Sequence, residues 1–315
     1  MTARVARPSL NRRVAIAAAV GLTIIAGTLF AASPADDKKL SADELVTRHL
    51  AEIGSPEARA AIKTRTINGA VRVINRIGRA SNIVGNATIV SMASRFRYTM
   101  LFPVVEYPSE QMAFDGERPA ISYLPNGNPT NLGQFLKQQN LPLKEGLLCG
   151  VLSTAWPLMR VAEEQPKLEY KGLKKVDARE LHELSYRPRK GYTDLKVMLY
   201  FDPATFRHVR STYRFEIPAR LGVGPNDSNR LTESYYLLSE DFDDFRQIDG
   251  VTLPTTYKLQ LNLSTPSGSQ LTDWTLQVTS VSHNQAMDER VFKLVSAIGR
   301  GVGVARRASS GFGGS

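Results

Sequence analysis

The residues able to do chemistry are few and scattered. Four histidines, His49, His182, His208 and His283, lie far apart, and none has a second histidine or cysteine at metal-ligand spacing. No metal site is expected from them. His49 falls on the apolar stripe of a helical pattern and reads as a packed residue, whereas His208 and His283 sit in strand or turn contexts consistent with exposure. Cys149 is the single cysteine, so the chain can build neither an intramolecular disulfide nor a thiolate metal site. Its setting, Leu147-Leu148-Cys149-Gly150-Val151-Leu152, is that of a small buried hydrophobe and offers no electropositive neighbour to a nucleophile. In the acidic run Glu240-Asp241-Phe242-Asp243-Asp244-Phe245, alternation turns Phe242 inward between solvated acids, and the run reads as a solvated strand edge. Glu163 and Glu164 are adjacent and do not establish the separation across a cleft that glycoside hydrolysis requires. A phosphate-binding glycine loop, a dinucleotide fingerprint and a serine elbow are all missing from the sequence. The chain is expected not to be an enzyme and to need no cofactor.

The positive signal is apolar. Phe96, Tyr98, Met100 and Phe102 alternate onto one strand face, with Arg95, Arg97 and Thr99 on the other. Tyr123, Tyr200 and Tyr213 are expected to extend that face. Phe135, Leu147, Leu148, Leu152 and Trp156, on two short apolar helices, are expected to cap it. Such a set forms either an apolar cavity or a closed core, and residue types do not separate the two.

Several elements must position these residues. Ser41 with Glu44 three residues on is a capping box, and Leu45, Val46, His49, Leu50 and Ile53 follow at helical spacing until Gly54 and Pro56 close the element. A short helical piece, 57–62, precedes a change of period at Thr64. There Ile67, Gly69, Val71 and Val73 take one face and Thr66, Asn68, Ala70 and Arg72 the other. Strands are then predicted at 86–102, 110–115, 119–124, 168–173, 179–186, 194–201, 207–217, 231–239, 253–263 and 271–281. Turn pairs such as Asn126-Gly127, Asp202-Pro203 and Asp249-Gly250 fall between them. This spacing describes an antiparallel meander or barrel rather than alternating βαβ units. Between 130 and 160 the strand rhythm breaks into one helix carrying Leu132, Phe135, Leu136 and Gln139 and a second from Glu145 to Trp156, ended by Pro157. Residues 221–229 read as a surface loop.

The formal charge of +10 sits mostly at the ends. Arg4, Arg7, Arg12 and Arg13 contribute four of these charges, and Arg300, Arg306 and Arg307 three more. Residues 36–295 are left at +3, so no nucleic-acid partner is expected. Residues 1–35 have a basic start, an uncharged run from Val14 to Ala32 and small residues at Ser33-Pro34-Ala35, the pattern of an export signal. The run also approaches the ~20 residues that span a bilayer, so residues 1–35 are expected to be a cleaved signal peptide or, if uncleaved, a membrane anchor that contacts the bilayer through residues 14–32. Residues 296–315 read as a disordered Gly/Ser/Arg tail.

Six motifs in order carry a family resemblance: L-S-A-D-E-L-V-T-R-H-L-A-E-I-G from Leu40, S-R-F-R-Y from Ser94, F-D-G-E-R-P-A-I-S-Y from Phe114, L-Y-F-D-P-A-T-F-R-H-V-R from Leu199, D-F-R-Q-I-D-G-V-T-L-P from Asp244 and M-D-E-R-V-F-K-L from Met287. Spanning about residues 40–294, they resemble the LolA/LolB-like superfamily of envelope lipoprotein carriers, in particular its larger relatives. The resemblance implies a mainly β (α+β) fold, an incomplete antiparallel β-barrel with an N-terminal helix and a helical lid, over residues 36–295. It also implies a periplasmic carrier of a lipid or lipoprotein acyl chain that works with an envelope protein partner. In the family an arginine four residues before the phenylalanine of the second-strand motif locks the lid; here Met92 stands at the matching position. The alternative reading is a membrane-anchored periplasmic interaction or sensor module whose core is closed.

Overall fold

The computed structural model describes residues 40–76, 81–191, 193–217, 234–265 and 268–294. The expected leader, the 221–229 loop and the 296–315 tail lie outside the described residues. Helix α1 (Ala42–Ile53) starts where the capping box places it, with Ser41 Oγ accepting from the Glu44 N–H at 3.1 Å. It buries Leu45, Val46, His49 and Ile53. Helix α2 (Pro56–Ala61) follows.

The twelve strands among the described residues belong to one antiparallel sheet. The first five are β1 (Thr64–Asn75), β2 (Ser81–Met92), β3 (Arg95–Leu101), β4 (Ser109–Phe114) and β5 (Pro119–Ile121). After an inserted segment come β6 (Lys167–Val176), β7 (Arg179–Arg187), β8 (Lys196–Phe201), β9 (His208–Ile217), β10 (Ser234–Ile248), β11 (Val251–Thr265) and β12 (Gly268–His283). The order across the sheet is β5-β4-β3-β2-β1-β12-β11-β10-β9-β8-β7-β6. It is two meanders joined where β1 pairs with β12, Val73 standing opposite Trp274. Edge strands β5 and β6 do not pair with each other, so the barrel is incomplete, as expected. At Asp249-Gly250 both residues have positive φ (49° and 81°), the left-handed pair that makes a tight hairpin between β10 and β11.

One face of the sheet is apolar and is covered by α1 and the inserted segment. Ile67, Val71, Ile89, Phe96, Tyr98, Met100, Leu199, Phe201, Tyr213, Tyr257, Leu259 and Leu276 form one continuous buried cluster with Leu45, Phe135, Leu147, Leu148 and Trp156. Period two explains the choice on each strand: in β1, residues 67, 69, 71 and 73 are buried while 68, 70 and 72 are exposed.

Four elements differ from their sequence expectation. The stretch 86–102 is not one strand: the chain reverses at Ala93-Ser94, with Ala93 at φ 53°, and Met92 pairs with Arg95. The strand expected at 231–239 continues through the acidic run to Ile248. The 119–124 strand shrinks to Pro119–Ile121.

The helix expected around Leu132, Phe135 and Leu136 forms as α3 (Asn131–Gln138) and is followed by α4 (Leu141–Lys144). The helix expected from Glu145 to Trp156 does not form: that stretch holds only a 3-10 turn at Gly150–Leu152, and a second such turn at Pro157–Arg160 and α5 (Val161–Glu164) follow it. Gly146, Cys149 and Gly150 all take positive φ (67°, 70° and 48°), which stops a right-handed helix. At Gly146 a Cβ would lie 2.3 Å from the Ala155 carbonyl oxygen, so the fold at that point requires the glycine.

Candidate functional site

The inserted segment 129–164 is held to the sheet by buried polar groups. The one at its centre is Glu240. On β10, residues 238, 240 and 242 share the inward face, and Glu240 is flanked by Ser211 of β9 and Leu259 of β11. The acidic run is therefore not a solvated strand edge at this point, because its strand is paired on both sides and Glu240 has no exposed surface. Its carboxylate accepts from the Cys149 N–H (2.7 Å) and the Tyr257 hydroxyl (2.7 Å) on Oε1, and from the Tyr213 hydroxyl (2.6 Å) on Oε2. Burial raises its pKa to about 7, the hydrogen bonds pulling the other way. Burial, and then the Glu240 charge, also push the Cys149 thiol up, which keeps it a thiol and removes it as a nucleophile.

Two further groups anchor the same segment. Arg65 is 3% exposed and donates from Nη1 to the Val151 carbonyl (2.6 Å) and from Nε to His283 Nε2 (3.0 Å). Since His283 Nε2 accepts, its Nδ1–H donates to Asp249 (2.8 Å). Arg65 is also the buried arginine that reaches the segment, from β1 rather than from the Met92 position. Burial lowers its pKa only to about 10, so it stays charged. Replacing Arg65 with Met keeps much of the apolar stem and removes the bond to Val151. Amide exchange across 146–156 is expected to speed up about ten-fold or more, with the β1 and β12 amides changing less. Equal acceleration in both places would assign Arg65 to the sheet alone.

Trp156 occupies the far end of the segment. Its ring stacks on His208 (centroids 4.6 Å apart) and its Nε1–H donates to His49 Nε2 (3.1 Å). The expectation that His208 is exposed fails for that reason: it is 1% exposed, between Trp156, Phe201 and Phe242. His208 Nε2 lies 3.0 Å from Ser211 Oγ, the contact of a base with a hydroxyl nucleophile. Ser211 is fully buried, however, so a substrate has no access to it. Burial lowers the pKa of both His49, to about 4, and His208. Both imidazoles are neutral at pH 7. Among the described residues no group of three or more His, Cys, Asp or Glu is placed to hold a metal ion. No helix among them is long and apolar enough to cross a membrane.

The structure brings most of the expected apolar set together. Phe96, Tyr98, Met100, Phe102, Phe135, Leu147, Leu148, Leu152, Trp156 and Tyr213 are all buried in the one cluster. Tyr200 lies apart from them: on β8 the core side is taken by Val197, Leu199 and Phe201, so Tyr200 faces the other way, with Leu181 and Val209. Tyr123 is half-buried and lines a surface depression of about 310 Å³ with Ile121, Leu136, Lys137 and Leu143.

Space for a ligand lies beside this core. A cavity of about 330 Å³ opens between β1, β2, β12 and the chain around 106–110 and 124–132. Val73, Ile83, Leu124, Leu132 and Trp274 give it apolar walls, and Glu110, Tyr107, Thr130 and Asn75 give it polar groups. Glu110, inward on β4 beside Met112, is 1% exposed. It accepts from Thr130 Oγ1 (2.7 Å) and the Tyr107 hydroxyl (3.0 Å), and the Tyr107 oxygen in turn accepts from Trp274 Nε1 (2.9 Å). Burial raises the pKa of Glu110 to about 7. An apolar pocket with a few convergent polar groups is the usual form of a small-molecule site. Glu110, Tyr107 and Trp274 line this cavity and are not among the apolar residues singled out from the sequence.

No family model and no curated protein sequence matches the chain. Among solved structures the chain is similar to a LolA superfamily protein from Nitrosomonas europaea, at 12% identity over 81% of this chain and 98% of that one, with a TM-score of 0.41. It is similar to a DUF1329 family protein from Desulfovibrio piger, at 11% identity over 80% and 97%, TM-score 0.39. A Vibrio parahaemolyticus protein domain described as outer membrane lipoprotein-sorting is matched at 10% identity over 80% and 97%, TM-score 0.41. The superfamily that the motifs resemble is thus among those whose solved structures this chain is similar to.

Proposed function

We propose that this chain is an exported binding protein of the cell envelope that carries an apolar ligand, a lipid or lipoprotein acyl chain, in the cavity beside Trp274. The observation that supports the reading is the cavity of about 330 Å³ walled by Val73, Ile83, Leu124, Leu132 and Trp274. Each ligand methylene transferred into it contributes about 0.8 kcal/mol. Leu132 lies in the first turn of helix α3, whose Phe135 stacks on Tyr236 with centroids 6.1 Å apart. Outward movement of α3 lengthens the cavity into the core, and that movement is the lid step of this reading.

The test is binding of N-phenyl-1-naphthylamine, an apolar fluorophore that brightens on leaving water, to the purified full chain. The unaltered protein is expected to bind it. Ile83→Trp, which fills the cavity from β2, is expected to lose about ten-fold or more in affinity while keeping its far-ultraviolet circular dichroism. Unchanged affinity in the folded variant would remove this cavity from the function. No binding by either protein would leave the closed-core interaction module as the better reading.

A further inference from the structure

We propose that the cavity selects an amphipathic ligand whose head group is a protonated amine, received by Glu110 while the apolar body lies along Val73, Ile83 and Trp274. The inference rests on the reading that the cavity takes an apolar ligand, and adds the chemistry of its polar end.

Three observations support it. Among the described residues, the charged ones lining the cavity are Glu106 and Glu110, both acidic, with no lysine, arginine or histidine beside them. An anionic head, a phosphate or a fatty carboxylate, would enter against like charge.

The hydrogen bonds around Glu110 also have a direction. Trp274 donates to Tyr107, and Tyr107 and Thr130 donate to the two carboxylate oxygens. The relay of donors ends in an acceptor. An ionised carboxylate has about four lone-pair positions, and the protein fills two of them, so the group that completes the site is a donor. Among the described residues no lysine or arginine is ion-paired with Glu110.

The third observation is aromatic. Tyr107 and Trp274 line the same cavity, and the faces of such rings attract cations rather than anions.

The titratable groups around Glu110 sharpen the expectation. Glu106 and Tyr107 come from the chain before β4. Tyr98 faces it from β3, and both tyrosines are held neutral, their pKa values raised first by burial. Burial holds Glu110 near pH 7, so it is ionised above that value and neutral below it. An ammonium head pairs with the ionised form, and binding near neutral pH therefore releases a proton. Alkylammonium groups stay charged throughout this range, as lysine does with its pKa of about 10.4.

Three probes of equal chain length test the proposal on the full protein: decylammonium, 1-decanol and decanoate, each below its aggregation concentration, measured by isothermal titration calorimetry at pH 7.5. Decylammonium is expected to bind about ten-fold or more tighter than decanol, and decanoate weakest. Glu110→Gln is expected to bring the amine-to-alcohol affinity ratio to within about two-fold. If that variant fails to fold, the unaltered protein decides the matter through pH: the amine preference is expected to shrink as pH falls from 8 to 5.5. Measurable decanol binding with equal affinity for the amine, with decanoate favoured, or with a pH-independent preference overturns the head-group proposal and leaves the apolar cavity standing. Failure of all three probes to bind overturns the cavity reading itself.

Discussion

Replacing Glu240 with alanine is expected to lower folding stability by about 4 kcal/mol or more, measured by urea denaturation at pH 7.5. The substitution strands three buried donors at once: the Cys149 N–H and the hydroxyls of Tyr213 and Tyr257. Each buried donor left without a partner costs about 1–3 kcal/mol. Glu240→Gln keeps the shape and an acceptor oxygen, and its main effect is on pH dependence. The folded protein raises the Glu240 pKa from 4.5 to about 7. A raised carboxyl pKa contributes stability that is complete below 4.5 and is lost as pH rises to 7. That difference corresponds to about 3 kcal/mol. Between pH 4.5 and 8 the unaltered protein should therefore lose about 3 kcal/mol more than Glu240→Gln does. Glu110, His49 and His208 titrate in both proteins and cancel in the comparison. Parallel stability curves would mean that Glu240 is not the titrating group.

The location of Glu240 shows how far the sequence could be read. Alternation correctly turned Phe242 inward, and the same period puts Glu240, two residues earlier, on the same face. The residue type, acidic among acids, outweighed the period. A buried carboxylate is tolerable only when donors converge on it, and here they come from β9, β11 and the 149 turn, which no local pattern connects. Arg65 was equally legible by parity with Ile67 and was passed over for the same reason. Glu110 shares its face with Met112 and Phe114. Strands β1, β7 to β9, β11 and β12 were readable because one side of each faces a core, which enforces alternation. The 145–156 segment was not: its run of Leu, Val and Ala suits a helix, and nothing local signals the positive φ at Gly146 and Gly150 or the close approach of Ala155, Phe242 and His208 that leaves no room for a Cβ there. Tyr200 was assigned to the wrong face because β8 ends in Leu199-Tyr200-Phe201, three apolar residues in sequence with no polar one to mark parity.

Trp156→Ala is expected to cost about 4 kcal/mol, as truncation of a fully buried tryptophan does. Trp156→Phe is the more informative change. The indole N–H donates to His49 Nε2, so His49 carries its proton on Nδ1 and donates it to the Phe206 carbonyl (3.1 Å). A proton arriving at Nε2 would meet the indole N–H head on. Burial, the main cause, already lowers the His49 pKa to about 4. A depressed histidine pKa contributes stability that is full above 6.5 and is lost as pH falls to 4, about 3 kcal/mol in all. Phenylalanine removes the opposing N–H, so His49 should protonate at higher pH in Trp156→Phe. The variant should start less stable at pH 7.5 and then lose less on going to pH 4.5 than the unaltered protein does. Guanidinium denaturation at the two pH values measures this. The two proteins losing the same amount would show that the indole does not control the imidazole proton. The same contacts decide which end of the segment can move. Its Trp156 end is fixed by the His49 and His208 stack, its middle by Glu240 and Arg65, and its α3 end by Thr130 on Glu110 and by an Asn131–Gln270 bond. The α3 end is the one beside the cavity, and an amine that binds Glu110 there shares the carboxylate with Thr130, dividing the acceptor between two donors. Ligand entry would thus loosen the segment where it borders the cavity while Trp156 holds the other end in place.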